Sequence, residues 1–226
     1  REAVRAIADL RRPPGSVLLI RVNPVGSPWF AEDVHAAAEC AADGVVLPKL
    51  ESRDDLGRLH ERLHAQGLEG AVVIAGLETA AGVADCRELS AGGLSGVYFG
   101  AEDYIADLGG YRTQHGQEVL FARSQVVLAA RLCGIAAIDQ VVTSVRSDEA
   151  FLTDAQAGRA MGYVGKICLH PRQIELAHRV FSPSEAEIEH AEAVIAAARH
   201  GVGVVDGQMV DEVHLKIAAA TLGRAR

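Results

Sequence analysis

The sequence predicts a (β/α)₈ barrel, of which this chain carries six βα units, and three observations lead to that fold class. Short β-branched runs alternate regularly with amphipathic helical stretches, which predicts a parallel sheet. No Gly-x-Gly-x-x-Gly motif follows the first strand, although a dinucleotide-binding, doubly wound sheet would carry one. Ionisable residues follow successive strand ends, where barrel active sites form. The alternative is a complete six-stranded doubly wound sheet.

A closed barrel needs eight units, so we expect two N-terminal strands, on the order of 50 residues, to be absent from this chain. The six predicted strands are short and mostly apolar, which is typical of strands covered on both faces. They lie at 17–22, 44–47, 71–77, 95–99, 135–142 and 164–169. Helical patterns precede the first strand and separate the others, at 1–10, 31–41, 54–66, 80–90, 117–133 and 148–161.

The C-terminal part predicts a different organisation. Helical patterns at 171–179 and 184–199 follow the last strand, and a glycine-containing break at 201–207 precedes a short helix at 210–222. We therefore predict an N-terminally incomplete barrel over 1–200 and a C-terminal helical arm or lid over 201–226. The alternative is an ordinary terminal helix packed on the barrel.

Composition and charge exclude several classes of function. Hydrophobic residues make up 49% of the chain and charged residues 23%, as in soluble globular proteins. The formal net charge is −8 and no stretch is rich in Lys or Arg, which disfavours nucleic-acid and anionic-membrane partners. No apolar run approaches the roughly 18 residues of a membrane span. No signal-peptide pattern is visible, so we expect a cytoplasmic location.

Each of the six predicted strands carries an ionisable residue within its last few positions or shortly after it. Glu78 and Asp103 follow the third and fourth strands and form the candidate metal pair. Mg²⁺ takes one or two carboxylates and completes its octahedron with water and substrate oxygens. Such an ion polarises a carbonyl and stabilises an enolate. The alternative is that either acid caps the helix that follows it.

Three basic strand-end residues complete the candidate site. Arg21 is suited to a bidentate contact with a substrate carboxylate, or to an ion pair with one of the acids. Lys49 is either a Schiff-base lysine or the partner of Glu51 or another nearby acid. His170 precedes a proline, so its backbone is extended, and we expect a supporting hydrogen bond from its ring. Arg21, Lys49 and Glu78 are the expected substrate contacts.

These residues lie in segments that resemble the citrate lyase β-subunit-like and malyl-CoA lyase proteins of the HpcH/HpaI aldolase superfamily. The matching segments occur in family order and cover nearly the whole chain. They include R-V-N at 21–23, L-P-K-L-E-S at 47–52, L-E-T-A-A-G-V at 77–83, G-A-E-D-Y-I-A-D-L-G at 100–109, A-R-S-Q-V-V-L-A-A-R at 122–131, A-I-D at 137–139, I-C-L-H-P-R-Q-I at 167–174, F-S-P-S at 181–184 and D-G-Q-M-V-D at 206–211.

The resemblance implies a TIM barrel with Mg²⁺ held by Glu78 and Asp103 and a keto-acid carboxylate held by Arg21. It implies that Asp211 is a catalytic acid that closes over the active site of a neighbouring subunit in a homotrimer or hexamer. Glu102, Asp139 and His170 are expected to support the site from beside the metal. The family's acidic D-L-E-D segment is absent from this chain, and Val213 stands where the family often has proline.

The resemblance implies reversible C–C cleavage of a 3-hydroxyacyl-CoA such as citryl-CoA or malyl-CoA. The products would be a keto acid and an acyl-CoA. Attack of water on the thioester would add a thioesterase activity. Two other functions remain open from the sequence. One is a metal-independent Schiff-base aldolase that uses Lys49. The other is a citrate lyase-like subunit that keeps the fold without turnover.

Overall fold

The computed structural model describes residues 12–199 and 201–225. The helix predicted at 1–10 lies outside these residues. The described chain forms two compact units. The first comprises 12–143 and 157–169, and the second comprises 144–156 and the residues from 170 onward. The predicted boundary between 1–200 and 201–226 stays a prediction.

The first unit contains a parallel sheet of six strands. Its strands are β1 (Leu19–Arg21), β2 (Gly44–Leu47), β3 (Val72–Leu77), β4 (Gly96–Phe99), β5 (Ala136–Asp139) and β6 (Gly165–Lys166). They are hydrogen-bonded in sequential order, each parallel to the next. A doubly wound sheet reverses its strand order at a switch point, and this sheet has no reversal. The six predicted strands are therefore confirmed, and the doubly wound alternative is wrong.

The strand register divides the sheet into two faces, because side chains alternate along each strand. Arg21 pairs with Val46, Val46 with Ile74, and Gly76 with Tyr98, so these residues share one face. We call it the inner face. Asp139 pairs with Lys166 in the opposite phase. These two residues lie on the face that we call the outer face.

Helices separate the strands of the first unit. They are α1 (Phe30–Glu39), α2 (Arg53–Ala65), α3 (Ala80–Ala84), α4 (Cys86–Ser90), α5 (Ala101–Asp107), α6 (Gln117–Cys133) and α7 (Asp148–Met161), whose first nine residues belong to the second unit. The single helix predicted at 80–90 is two helices, because Asp85 ends α3 and precedes α4. Helix α5, which carries Glu102 and Asp103, was not predicted.

The second unit contains α8 (Pro171–Phe181), α9 (Glu185–Ala197), an antiparallel hairpin of β7 (Gly203–Val205) and β8 (Gln208–Val210), and α10 (Glu212–Arg224). The hairpin lies where the sequence predicted only a glycine-containing break. Its turn is Asp206-Gly207, and both residues have positive φ, as a two-residue turn of type I′ requires. Small buried side chains, including Ala191, Val194 and Ala218, form the core of this unit.

No helix in the described part of the chain is both long enough and apolar enough to span a bilayer.

Candidate active site

A cavity of about 370 Å³ opens at the carboxyl ends of the strands of the first unit. Its wall is apolar where the inner face supplies Leu19, Val46, Ile74, Ile138 and Ile167. Its polar end consists of Arg21, Glu78, Tyr98, Glu102 and Asp103. An apolar pocket with a few converging polar groups is the usual form of a small-molecule site.

Glycines on the inner face leave space for these polar groups. A Cβ atom at Gly76 would lie 2.3 Å from the hydroxyl oxygen of Tyr98. A Cβ atom at Gly100, which follows β4, would lie 2.4 Å from Cβ and 2.5 Å from Oε2 of Glu78. Any larger residue at these two positions would displace the Tyr98 ring or the Glu78 side chain.

Glu78 is a buried carboxylate at the edge of the cavity, with a side chain only 3% exposed. Its Oε1 accepts a hydrogen bond of 2.9 Å from the backbone N–H of Lys49, and the Tyr98 hydroxyl donates a second hydrogen bond to the carboxylate. Burial raises the pKa of Glu78 above its ordinary value. Burial also raises the pKa of Tyr98, so its hydroxyl keeps the proton that it donates.

Lys49 contacts both candidate metal ligands. Its Nζ donates a hydrogen bond of 2.7 Å to Oδ1 of Asp103, and the two side chains are 42% and 45% exposed. The hydrogen bond to Asp103 raises the pKa of Lys49. A Schiff-base lysine needs a lowered pKa to be nucleophilic near neutral pH. The structure therefore argues against the Schiff-base alternative and bears out the alternative of an ion pair with a nearby acid.

Neither candidate metal ligand caps a helix. Helix α3 is capped by Thr79, whose hydroxyl accepts from the N–H of Gly82. Helix α5 begins after Gly100 without a side-chain cap. The carboxylates of Glu78 and Asp103 are thus available to the cavity, where Arg21 approaches Glu78 with 3.9 Å between Nη2 and Oε1.

Asp139 has a different environment from the one the sequence predicted. It is fully buried on the outer face, where its carboxylate forms a bidentate pair with Arg123 at 2.8 and 2.5 Å. Lys166 Nζ lies 2.8 Å from the same carboxylate. The strand register explains the correction, because the end of β5 directs Ile138 into the cavity and Asp139 toward helix α6. We name Arg123, Asp139 and Lys166 the outer ion cluster.

The other predicted supporting residues have separate partners. Glu102 borders the cavity, and its Oε1 lies 3.5 Å from Nε of Arg112. His170, in the second unit, caps α8 by accepting from the N–H of Arg172 at 3.1 Å. Asp211, also in the second unit, caps α10 and contacts the ring of His214 at 2.8 Å. The hydrogen bond from His214 lowers the pKa of Asp211.

Sequence reasoning missed two features of this site. Tyr98 lies one residue before the end of a predicted strand, and its position on the inner face of that strand was the signal that it borders the cavity. The conformation of Lys49 was also missed, because it has a φ of 51° although it is not glycine. No sequence pattern predicts that a lysine adopts the left-handed backbone conformation.

The chain is similar to proteins of a known family. Residues 1–171 match the family model described as HpcH/HpaI aldolase/citrate lyase. The chain is 45% identical over 216 residues to the citrate lyase subunit beta-like protein of Deinococcus radiodurans, covering 92% of this chain and 75% of that protein. It is 35% identical over 214 residues to the (3S)-malyl-CoA thioesterase of Cereibacter sphaeroides, covering 92% and 73%.

A solved structure has a similar fold. It is protein CitE from Mycobacterium tuberculosis in complex with magnesium, acetoacetate and coenzyme A. The TM-score is 0.82 and the sequence identity is 33%, over 99% of this chain and 83% of that chain.

Proposed function

The chain belongs to the HpcH/HpaI aldolase/citrate lyase family, and from that premise we propose that it is a Mg²⁺-dependent C–C lyase acting on a 3-hydroxyacyl-CoA such as citryl-CoA or malyl-CoA. The products are a keto acid and an acyl-CoA. Family membership confirms the predicted enzyme class, a lyase. The observation that carries the finer proposal is that Glu78 and Asp103 border one cavity and share the contacts of Lys49.

The donor set fits Mg²⁺. Within the described residues, no group of three or more His, Cys, Asp and Glu side chains is arranged to hold a metal, as a closed zinc site would require. Two carboxylates beside an open cavity are the protein ligands that Mg²⁺ typically takes. Bound by Glu78 and Asp103, the ion would supply a Lewis acid for the keto-acid oxygens. The CitE structure, which contains magnesium with acetoacetate, supports this assignment.

The chain's own residues bind and orient the substrate. Arg21 is largely exposed at the cavity mouth, and its planar guanidinium is suited to a bidentate contact with the keto-acid carboxylate. Tyr98 fixes the Glu78 carboxylate through its hydroxyl. The apolar wall excludes water from the reacting carbons, which strengthens the nearby electrostatic interactions.

In cleavage, a base removes the proton of the substrate hydroxyl and the C–C bond breaks. Its electron pair passes to the thioester as an enolate, which an acid then protonates to give the acyl-CoA. Condensation is the reverse reaction. Attack of water on the thioester instead would release free CoA, and the similarity to a malyl-CoA thioesterase favours testing for this second activity.

We assign the catalytic acid to Asp211 acting in a neighbouring subunit of a homotrimer or hexamer. Asp211 precedes α10 in the second unit and follows the β7–β8 hairpin. In this structure Asp211 caps α10 and accepts a hydrogen bond from His214, which lowers the pKa of Asp211, so the acid role requires this carboxylate to leave these partners when it enters the neighbouring site. Mixing Asp211→Ala with Glu78→Gln should restore activity, since mixed oligomers contain sites with both groups intact. No recovery after verified subunit exchange would refute the arrangement.

We further propose that the six βα units are part of an eight-unit barrel and that the protein acts in the cytoplasm. The sequential parallel order of the strands supports the barrel. The net charge of −8 supports small-molecule partners, acyl-CoA and keto acids, over nucleic acid.

The decisive experiment is a screen of CoA thioesters with and without Mg²⁺, in which keto acid and free CoA are measured separately. We expect keto-acid formation that EDTA abolishes and that Glu78→Gln and Asp103→Asn reduce at least about a hundredfold. Glu88→Gln, an exposed acid of the same unit, is the matched control. Turnover that persists in EDTA would contradict the metal mechanism, and no turnover with any thioester would favour the non-catalytic subunit.

A further inference from the structure

Lys49 has a backbone conformation that a lysine adopts at a cost. Its φ of 51° lies in the left-handed region, where a Cβ atom crowds the backbone and glycine is the relaxed residue. The conformation directs the Lys49 N–H to Oε1 of Glu78 at 2.9 Å. Glycine would offer the same N–H without the steric penalty. The side chain must therefore supply something that glycine cannot.

The side chain supplies a positive charge to the second carboxylate. Its ammonium lies 2.7 Å from Oδ1 of Asp103. Glu78, the other acid that borders the cavity, has the Arg21 guanidinium at 3.9 Å instead. A divalent ion held by these acids would bring the same sign of charge to the same carboxylate. The ammonium and the ion therefore compete for Asp103.

We propose that Lys49 is a placeholder cation: its ammonium neutralises Asp103 in the metal-free protein and leaves when a divalent ion binds, while its N–H stays on Glu78. This inference rests on the proposed metal pair. The exposure of the two acids fits these separate roles. Glu78, which accepts from the Lys49 N–H, is buried, and Asp103, which accepts from the ammonium, is almost half-exposed. The flexible four-carbon stem allows the ammonium to move while the backbone remains fixed.

If Lys49 is a placeholder cation, removing the charge of its ammonium should strengthen Mg²⁺ binding. Lys49→Met keeps the stem and the N–H to Glu78 but abolishes the competing ammonium. A role in holding Asp103 ready for the metal predicts the opposite, weaker binding. Because the pair is partly exposed, we expect the dissociation constant for Mg²⁺ to fall about two- to fivefold. The thermal stabilisation by saturating Mg²⁺ should also increase.

Titration calorimetry of the full chain with Mg²⁺ alone tests the inference without any activity measurement. Lys216→Met is the matched control, because Lys216 forms an exposed ion pair of 2.9 Å with Glu212 in the second unit. Its affinity should equal that of the wild type. Lys49→Gly, which also relieves the backbone, replaces the Met variant if that variant does not fold, and it should bind Mg²⁺ more tightly as well.

The outcomes separate this inference from the function on which it rests. Tighter binding by the Lys49 variants, with an unchanged control, supports the placeholder. Binding by the wild type with equal or weaker binding by the Lys49 variants overturns the placeholder and leaves the metal site intact. No Mg²⁺ binding by the wild type contradicts the metal site itself, and the placeholder with it.

Discussion

Two carboxylates at strand ends of the same sheet, one after β3 and one at the end of β5, have opposite environments. Glu78, after β3, borders the cavity on the inner face, and its nearest cationic group is the Arg21 guanidinium at 3.9 Å. Asp139, at the end of β5, lies on the outer face with two cations within 2.8 Å. Both acids are nearly or fully buried. They differ in how completely their charge is compensated.

This difference indicates that Asp139 stabilises the fold, whereas Glu78 is suited to bind a ligand. A buried charge is tolerated when paired and hydrogen-bonded. The outer ion cluster meets that condition within the protein and joins β5, β6 and α6, where the Tyr163 hydroxyl also donates to the Arg123 carbonyl at 2.7 Å. The Glu78 carboxylate is hydrogen-bonded but only weakly paired with a cation, and burial therefore raises its pKa. Incomplete compensation of this kind is typical of functional sites.

The largest effect that we predict breaks the outer ion cluster. Asp139→Asn removes the negative charge and leaves Arg123 and Lys166 buried without it. Loss of one partner from a buried ionic group should lower the free energy of unfolding by about 3–5 kcal/mol. Urea denaturation followed by circular dichroism measures this loss.

The control for this prediction is Asp85→Asn, an exposed aspartate that makes no capping hydrogen bond. It should change the free energy of unfolding by less than about 0.5 kcal/mol. An Asp139→Asn variant as stable as this control would show that the cluster does not hold the sheet.

Two glycine substitutions, one beside Asp139 and one beside Glu78, should have effects of intermediate size on stability and test the difference between the two acids. A Cβ atom at Gly158 would lie 2.3 Å from Oδ2 of Asp139, and one at Gly100 would lie 2.4 Å from Cβ of Glu78. Each Ala variant should lose about 1–2 kcal/mol of stability through overpacking. Only Gly100→Ala should weaken Mg²⁺ binding, by about tenfold or more, because only Gly100 adjoins a proposed ligand. Equal Mg²⁺ affinities in calorimetry would contradict the division between the two faces.

The division of the sheet into an inner and an outer face also explains which features the sequence predicted and which it did not. Strand runs and their order were predictable because periodicity and β-branched composition report burial directly. Glu78 and Asp139 both follow apolar runs, so position alone could not separate them. Their separation depends on strand phase, which the register fixes and a one-residue shift would invert. The Asp206-Gly207 turn was a readable hairpin signal, whereas the left-handed Lys49 depends on tertiary contacts with Glu78 and Asp103.

The smallest predicted effect concerns the stability of the metal-free protein and has the opposite sign to that of Asp139→Asn. The pKa of Glu78 in the folded protein is raised above the ordinary 4.5. The folded state therefore holds this proton more tightly than the unfolded chain does. Its contribution to stability is complete below about pH 4.5 and is lost as the pH rises through the raised pKa.

Glu78→Gln removes this titration, because the amide stays neutral at every pH, and its carbonyl oxygen can still accept from the Lys49 N–H. Without Mg²⁺, the variant should equal the wild type in stability at pH 7 or exceed it by up to about 1 kcal/mol. The advantage should shrink below pH 5, where the wild-type carboxyl is protonated too. Denaturation curves in EDTA from pH 4 to pH 8 measure the difference. A variant that is less stable than the wild type at pH 7 would mean that the Glu78 charge is already compensated by the protein, as the Asp139 charge is, and the contrast between the two faces would fail.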